Sequence, residues 1–179
     1  MADAGRSLPA VAATPWLTPL PPAARFIFHG GEQARERAGR AWSVAFATEA
    51  CRACAAGRLA TLWLGPDEYL LLAPAEETGA AAAIELALAG CPHALVDVSH
   101  RQTAFNVFGP HAEALLSGGC PLDLDVGEFP VDMCTRTVFG KADIVLWRTA
   151  ADCFRLEVWR SFSDYVTAML GEIARGHFP

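Results

Sequence analysis

The chain has 179 residues, a formal net charge of −6 from 14 basic and 20 acidic residues, and a hydrophobic share of 53%. That length fits one compact domain or two small lobes sharing a core, and it can bury a sizeable interior without staples. The acidic balance, with Arg carrying nearly all the positive charge and no basic run, excludes a general nucleic-acid binder, and no stretch approaches the roughly 18 consecutive apolar residues of a membrane span.

Residues 1–24, which contain Pro9, Pro15, Pro19, Pro21 and Pro22, show little amphipathic pattern. They read as an extended arm, ordered when a partner holds it, with Trp16 and Leu17 as anchors. The main domain is expected over 25–179. Phe26–Phe28 reads as a short strand, Glu32–Arg37 as a helical turn or two ended by Gly39, and Trp42–Phe46 as a further strand. Leu59–Leu64 and Tyr69–Ala73 form a hairpin around Gly65-Pro66-Asp67-Glu68, because Pro fixes φ and Asp tolerates turn geometry. Both strands are apolar on both faces, so both faces are expected to be covered.

An Ala-rich helix is predicted over Glu76–Ala89, stopped by Gly90 and Pro92. Leu95–Val98 leads through a Ser99-His100-Arg101 turn into a strand, Thr103–Phe108. Pro110 opens a short helix to Leu116, ended by Gly118-Gly119. Cys134–Val138 reads as a strand. Ile144–Trp147 and Phe154–Trp159 read as a second hairpin. In the last helix Phe162, Tyr165, Val166, Met169, Leu170 and Ile173 recur on one face. Ser161 with Asp164 reads as its capping box and Gly176 as its C′ residue. Hairpin, helix, hairpin, helix predicts an α+β fold of antiparallel sheets with helices packed on one side.

Candidate chemistry is sparse. Cys51-Arg52-Ala53-Cys54 has the spacing of a redox or metal pair, but the other four cysteines are scattered singly and no paired His accompanies them. The five His residues are dispersed, and Asp97 beside Ser99 and His100 reads as a turn-fixing side chain rather than a triad member. Gly30-Gly31 and Gly118-Gly119 lack a phosphate-loop context. Trp63, Trp147 and Trp159 read as core or interface anchors. The residues therefore nominate no catalytic, cofactor-binding or metal-binding side chain. The apolar excess has two readings, an alanine bias or a surface made to be covered by another chain. With no secretory pattern, the cytoplasm is expected, with reduced cysteines.

Several segments together resemble the gamma subunit family of heterotetrameric sarcosine oxidase. They are Leu62-Trp63-Leu64-Gly65-Pro66-Asp67-Glu68-Tyr69-Leu70-Leu71-Leu72-Ala73-Pro74, Val96-Asp97-Val98-Ser99-His100-Arg101-Gln102, Gly119-Cys120-Pro121-Leu122-Asp123-Leu124, Gly140-Lys141-Ala142, and Leu146-Trp147-Arg148 through Arg160-Ser161-Phe162. The likeness covers roughly residues 25–175. It implies a fold similar to the folate-binding domain of the glycine cleavage aminomethyltransferase. That enzyme has two adjacent aspartates after a Gly-rich turn, where this chain has Asp143 and Ile144.

The resemblance also implies an accessory, non-catalytic role beside alpha, beta and delta subunits in the oxidative demethylation of sarcosine. FAD, FMN, NAD, zinc and tetrahydrofolate would then belong to those other subunits and none to this chain. Two alternatives stay open at this point: a folate-binding or aminomethyltransferase-like domain using Asp143, and the small subunit of a related N-methyl amino acid dehydrogenase.

Overall fold

The computed structural model describes residues 13–77 and 79–177. Its elements run β1 (Leu17–Pro19), β2 (Ala23–Gly30), α1 (Glu32–Trp42), β3 (Ala53–Ala56), β4 (Leu59–Gly65), β5 (Glu68–Pro74) and α2 (Ala80–Ala87). They continue as β6 (His93–Asp97), β7 (Gln102–Phe108), α3 (Ala112–Ser117), β8 (Cys134–Phe139), β9 (Ala142–Ala150), β10 (Cys153–Trp159) and α4 (Ser163–His177). The strands form two five-stranded sheets, ordered β1-β7-β10-β9-β8 and β3-β4-β5-β2-β6. Every pairing within them is antiparallel.

Alternation along the strands sorts the side chains into three cores. In the first sheet Phe105, Val107, Ile144, Leu146, Phe154 and Leu156 pack against Leu115 and Leu116 of α3 and Val166 and Leu170 of α4. In the second, Phe26, Phe28, Tyr69 and Leu71 pack against Ala34, Ala38 and Trp42 of α1 and Ile84 of α2. The opposite faces meet each other. Ala60, Leu62, Leu70 and Leu72 from the second sheet enclose a core with Cys134, Val145 and Trp147 from the first. The layers therefore run helix, sheet, sheet, helix. Each sheet carries its helices on one side, and the other sheet covers the remaining face, which is why β4 and β5 are apolar on both sides.

Polar groups cross the same interface. Arg25 of β2 and Glu157 of β10 are 2% and 1% exposed, and Arg25 Nε donates to Glu157 Oε2 at 2.6 Å. Arg155 donates to the other carboxylate oxygen from Nε at 2.8 Å and from Nη2 at 2.6 Å. The backbone is also stitched across. Ala53 N–H donates to the Asp132 carbonyl at 2.8 Å and Cys134 N–H to the Cys51 carbonyl at 2.9 Å. A second buried cation, Arg148, works on the helix side of the first sheet. Its guanidinium donates to the carbonyls of Leu124, Phe129 and Ala151 and lies over the Phe154 ring at 4.6 Å. It thereby holds the long connection between α3 and β8 against the sheet.

Several local expectations are corrected. Trp42–Phe46 is not a strand. Trp42 ends α1, Ser43 turns left-handed at φ 60°, and Val44 and Phe46 are buried in a loop. The alternating apolar pattern there imitates a strand, but the carbonyls of Ala45 and Ala47 accept from the Thr61 and Tyr69 hydroxyls instead of from a ladder. Helix α1 also runs past Gly39, where a Cβ would approach the Val44 carbonyl oxygen at 3.2 Å. Helix α2 is shorter than Glu76–Ala89, and α3 begins two residues after Pro110. Ser161 sits inside a one-turn 3₁₀ helix, Arg160–Phe162, so it does not cap α4. Gly176 lies within α4 rather than beyond it.

Residues 1–12 of the expected arm lie outside the described residues, but Leu17–Pro19 is held by the chain itself as an edge strand against β7. Leu17, 2% exposed, joins the first sheet's core. Replacing Glu157 by Met strands both Arg25 and Arg155 and should lose about 3–5 kcal/mol in urea unfolding. Replacing Arg25 by Met leaves the carboxylate with Arg155 and should lose less, while R25M/E157M should lose less than the sum of the two.

Candidate interaction face and inter-sheet cleft

The sandwich is open at one end. A cleft of about 380 Å³ lies between the sheets, walled by Ile27, Leu64 and Leu70 on one side and by Asp143, Val145 and Trp159 on the other. Its mouth is braced by an ion pair between sheets. Arg136 of β8 donates from both terminal nitrogens to the Glu68 carboxylate of β5, with Nη1 at 2.7 Å from Oε2. His29 Nε2 lies 3.6 Å from Glu68. The Arg136 hydrogen bond is the main reason that the Glu68 carboxyl is held below the ordinary glutamate range, against the upward push of burial.

Asp143, the carboxylate singled out in the sequence, is exposed on this cleft wall. Ile144 beside it points to the opposite face and is 3% exposed in the helix-side core. The remaining sequence candidates do not assemble. Hydrogen bonding from Ser99, side chain first and backbone second, holds the Asp97 carboxyl below the usual range. Asp97 accepts the Ser99 backbone N–H at 2.8 Å, and the Ser99 hydroxyl accepts Arg25 N–H at 2.9 Å. The turn is thus tied to β2, with no triad built.

Cys51 and Cys54 flank the backbone stitch between the sheets, and all six cysteines are free thiols. Burial, with the Asp132 charge second, pushes the Cys54 thiol up, the opposite of the depressed thiol that redox or metal work uses. Among the described residues no group of three His, Cys, Asp or Glu side chains is placed to hold a metal ion, and no helix is long and apolar enough to cross a membrane.

The exposed apolar groups are more informative. Trp159 at the end of β10 is 43% exposed, with the Arg101 guanidinium 4.7 Å from its ring centre. Phe162 and Tyr165 at the start of α4 are also exposed and stack edge to face at 6.4 Å. The Tyr165 hydroxyl accepts the Lys141 backbone N–H at 3.1 Å, which joins α4 to the β8–β9 turn. Gly140 in that turn has φ +59°, and a Cβ there would strike Tyr165 and Met169.

Sequence periodicity placed Phe162 and Tyr165 on the buried helix face. The structure buries Val166, Leu170 and Ala174 and leaves the two aromatics at the rim. Sequence reading missed Arg25, Arg136, Arg148, Glu68 and Glu157. The available signal was a charge set inside an otherwise apolar strand, as in Arg25-Phe26-Ile27-Phe28 and Leu156-Glu157-Val158-Trp159.

These features define an α+β sandwich module with an aromatic rim and a cleft bearing a single free carboxylate. The fold is shared with the glycine cleavage system aminomethyltransferase T from Bartonella henselae, at TM-score 0.66 and 16% identity over 86% of this chain and 44% of that one. The chain belongs to the sarcosine oxidase gamma subunit family, whose model matches residues 37–175.

Two curated relatives are the sarcosine oxidase subunit gamma of Arthrobacter sp., 39% identical over 53% of this chain and 46% of its own length, and that of Corynebacterium sp. strain P-1, 33% identical over 62% and 54%. The chain thus spans about half the length of these relatives. A chain of the heterotetrameric sarcosine oxidase from Corynebacterium sp. U-96, in complex with pyrrole 2-carboxylate, superposes at TM-score 0.82 with 26% identity, over 88% of this chain and 82% of that one.

Two measurements check the site. Because the folded Glu68 value lies below the unfolded one, its ion pair contributes above the ordinary glutamate value and is lost as pH falls through the folded value. A carboxyl titration by NMR should place the Glu68 midpoint below that of a denatured reference, and R136M should raise it to that reference or above, since burial then acts without the arginine. Cys134, whose thiol burial pushes up to about 12, should alkylate at pH 8 far more slowly than Cys51 or Cys153, with or without chelator.

Proposed function

We propose that the chain is a non-catalytic, structural gamma subunit of a cytoplasmic heterotetrameric sarcosine oxidase. In this reading it works beside alpha, beta and delta subunits in the oxidative demethylation of sarcosine to glycine. The observation that carries the reading is the likeness to a chain of the Corynebacterium sp. U-96 heterotetramer over 88% of this chain. FAD, FMN, NAD, zinc and tetrahydrofolate then belong to the other subunits. The sequence resemblance supports this assignment, since the two adjacent aspartates of the aminomethyltransferase are matched here by Asp143 and Ile144.

What this chain supplies is a rigid surface. Trp159, Phe162 and Tyr165 are large, stiff and amphipathic, the kind of side chain that dominates protein interfaces when desolvated. Their backbone is fixed by β10 and the first turns of α4, so little entropy is lost when a partner covers them.

Co-expression with the large subunits should give one complex by size exclusion that oxidises sarcosine and releases hydrogen peroxide. Substituting Trp159→Ala together with Phe162→Ala should weaken assembly by 30-fold or more, equivalent to about 2 kcal/mol at a hot spot. The free variant's melting temperature should fall by less than that of a core substitution, because both side chains are partly exposed. Normal assembly and turnover of the large subunits without this chain would overturn the proposal. Calorimetry with millimolar tetrahydrofolate should show no binding, and saturable heat would favour the folate-binding alternative.

A further inference from the structure

The opposite end of the inter-sheet space holds a second cavity of about 250 Å³. Its walls are largely apolar, from Leu20, Pro22, Leu59 and Leu72, and its polar side chains are Trp147, Arg155 and Arg58. In a chain of net charge −6, no Asp or Glu lines it.

Charge around this cavity does not balance. Glu157 accepts from Arg25 on one oxygen and from Arg155 on the other. Two guanidinium groups therefore share one carboxylate, and among the described residues neither has a further acidic partner. Arg25 and Glu157 are fully buried and the Arg155 side chain is 19% exposed, so solvent compensates the surplus charge poorly. Arg58 adds nothing to the surplus, because it pairs with Glu76 at the surface.

Hydrogen bonding does not balance either. Trp147 is only 9% exposed, and its Nε1–H is buried without an acceptor. A buried donor left unmade costs about 1–3 kcal/mol. Arg155 uses Nε and Nη2 on Glu157 and keeps Nη1 for another acceptor. An acceptor of charge −1 would meet the surplus cation and the idle donors together. A dianion such as phosphate would overshoot the charge, and the apolar walls would leave much of its oxygen surface without donors.

We propose that this cavity binds a small monocarboxylate with an apolar body, the carboxylate held by Arg155 and Trp147 and the body against Leu20, Pro22 and Leu72. This site is separate from the aromatic rim and from the Asp143 cleft, and it does not depend on the subunit assignment.

The probe is sodium benzoate, titrated into the full chain, with benzamide as the neutral isostere. Indole N–H resonances are followed by NMR and affinity by calorimetry. Benzoate should bind saturably and shift one indole resonance, the one absent in Trp147→Phe, while benzamide should not bind. Arg155→Met should weaken benzoate at least tenfold, and Trp147→Phe, which keeps the packing, roughly fivefold.

Equal response to benzoate and benzamide, or unchanged benzoate affinity in Trp147→Phe, would overturn the proposal even if Arg155→Met failed to fold. Loss of the benzoate site once the chain is assembled with the large subunits would assign the carboxylate to a partner side chain and overturn the free-ligand reading.

Discussion

The contact between the two sheets is the constraint on which the rest of the molecule depends. Neither sheet has a second layer of helices to cover its inner face, so each must be buried by the other. Leu62, Leu70, Leu72, Val145 and Trp147 supply that burial. At about 2 kcal/mol for each large side chain, these five contribute on the order of 10 kcal/mol. The buried Arg25–Glu157 pair contributes far less on balance, because desolvation offsets most of its attraction. Apolar area makes the sheets adhere. The ion pair fixes how they adhere, since a slide of one sheet along the other would leave a buried charge alone.

That division of labour shapes both ends of the sandwich. The apolar seam fills the middle, and at each end the sheets stop touching. One end is braced by Arg136 and Glu68 and leaves the Asp143 carboxylate facing solvent. The other end inherits the unmatched guanidinium of the buried cluster and the idle Trp147 indole. The buried cluster thus leaves cationic donors at one opening, while the other is lined by both arginines and carboxylates. The backbone stitch at Cys51–Ala53 explains the cysteine pair in the same terms. Ala53 faces the inter-sheet core, while Cys54 packs against the helix-side core of the second sheet, and that burial pushes its thiol up.

The hairpins were legible in the sequence because their signals are local. Pro66-Asp67 fixes one turn, and apolar runs on both sides declare strands covered on both faces. Helix α4 was legible for the same reason, as a periodic stripe, although the stripe is wider than the face that is buried. Trp42–Phe46 misled because alternation reports which side chains are buried and not who accepts the backbone hydrogen bonds. Those bonds come from Thr61 and Tyr69, residues distant in sequence. The cavities were not legible at all. They depend on which strand residues end up opposite one another across two sheets, and Arg25 meets Glu157 over 132 positions of chain.

The same alternation decides what residue 144 does in this aminomethyltransferase-like fold. Asp143 and residue 144 are neighbours on one strand, so their side chains leave it on opposite faces. Asp143 opens on the cleft, while Ile144 is packed beneath α3 and α4 with the first sheet's core. A carboxylate at 144 in this packing would be buried among Leu146, Leu156 and Val166 without a partner, at a cost of several kcal/mol. An apolar residue there stabilises the seat of α4 instead. The helix in turn carries Phe162 and Tyr165 to the rim and holds the β8–β9 turn through the Tyr165 hydroxyl. In this chain residue 144 secures the helix that carries the aromatic rim, and only Asp143 of the adjacent pair opens on the cleft.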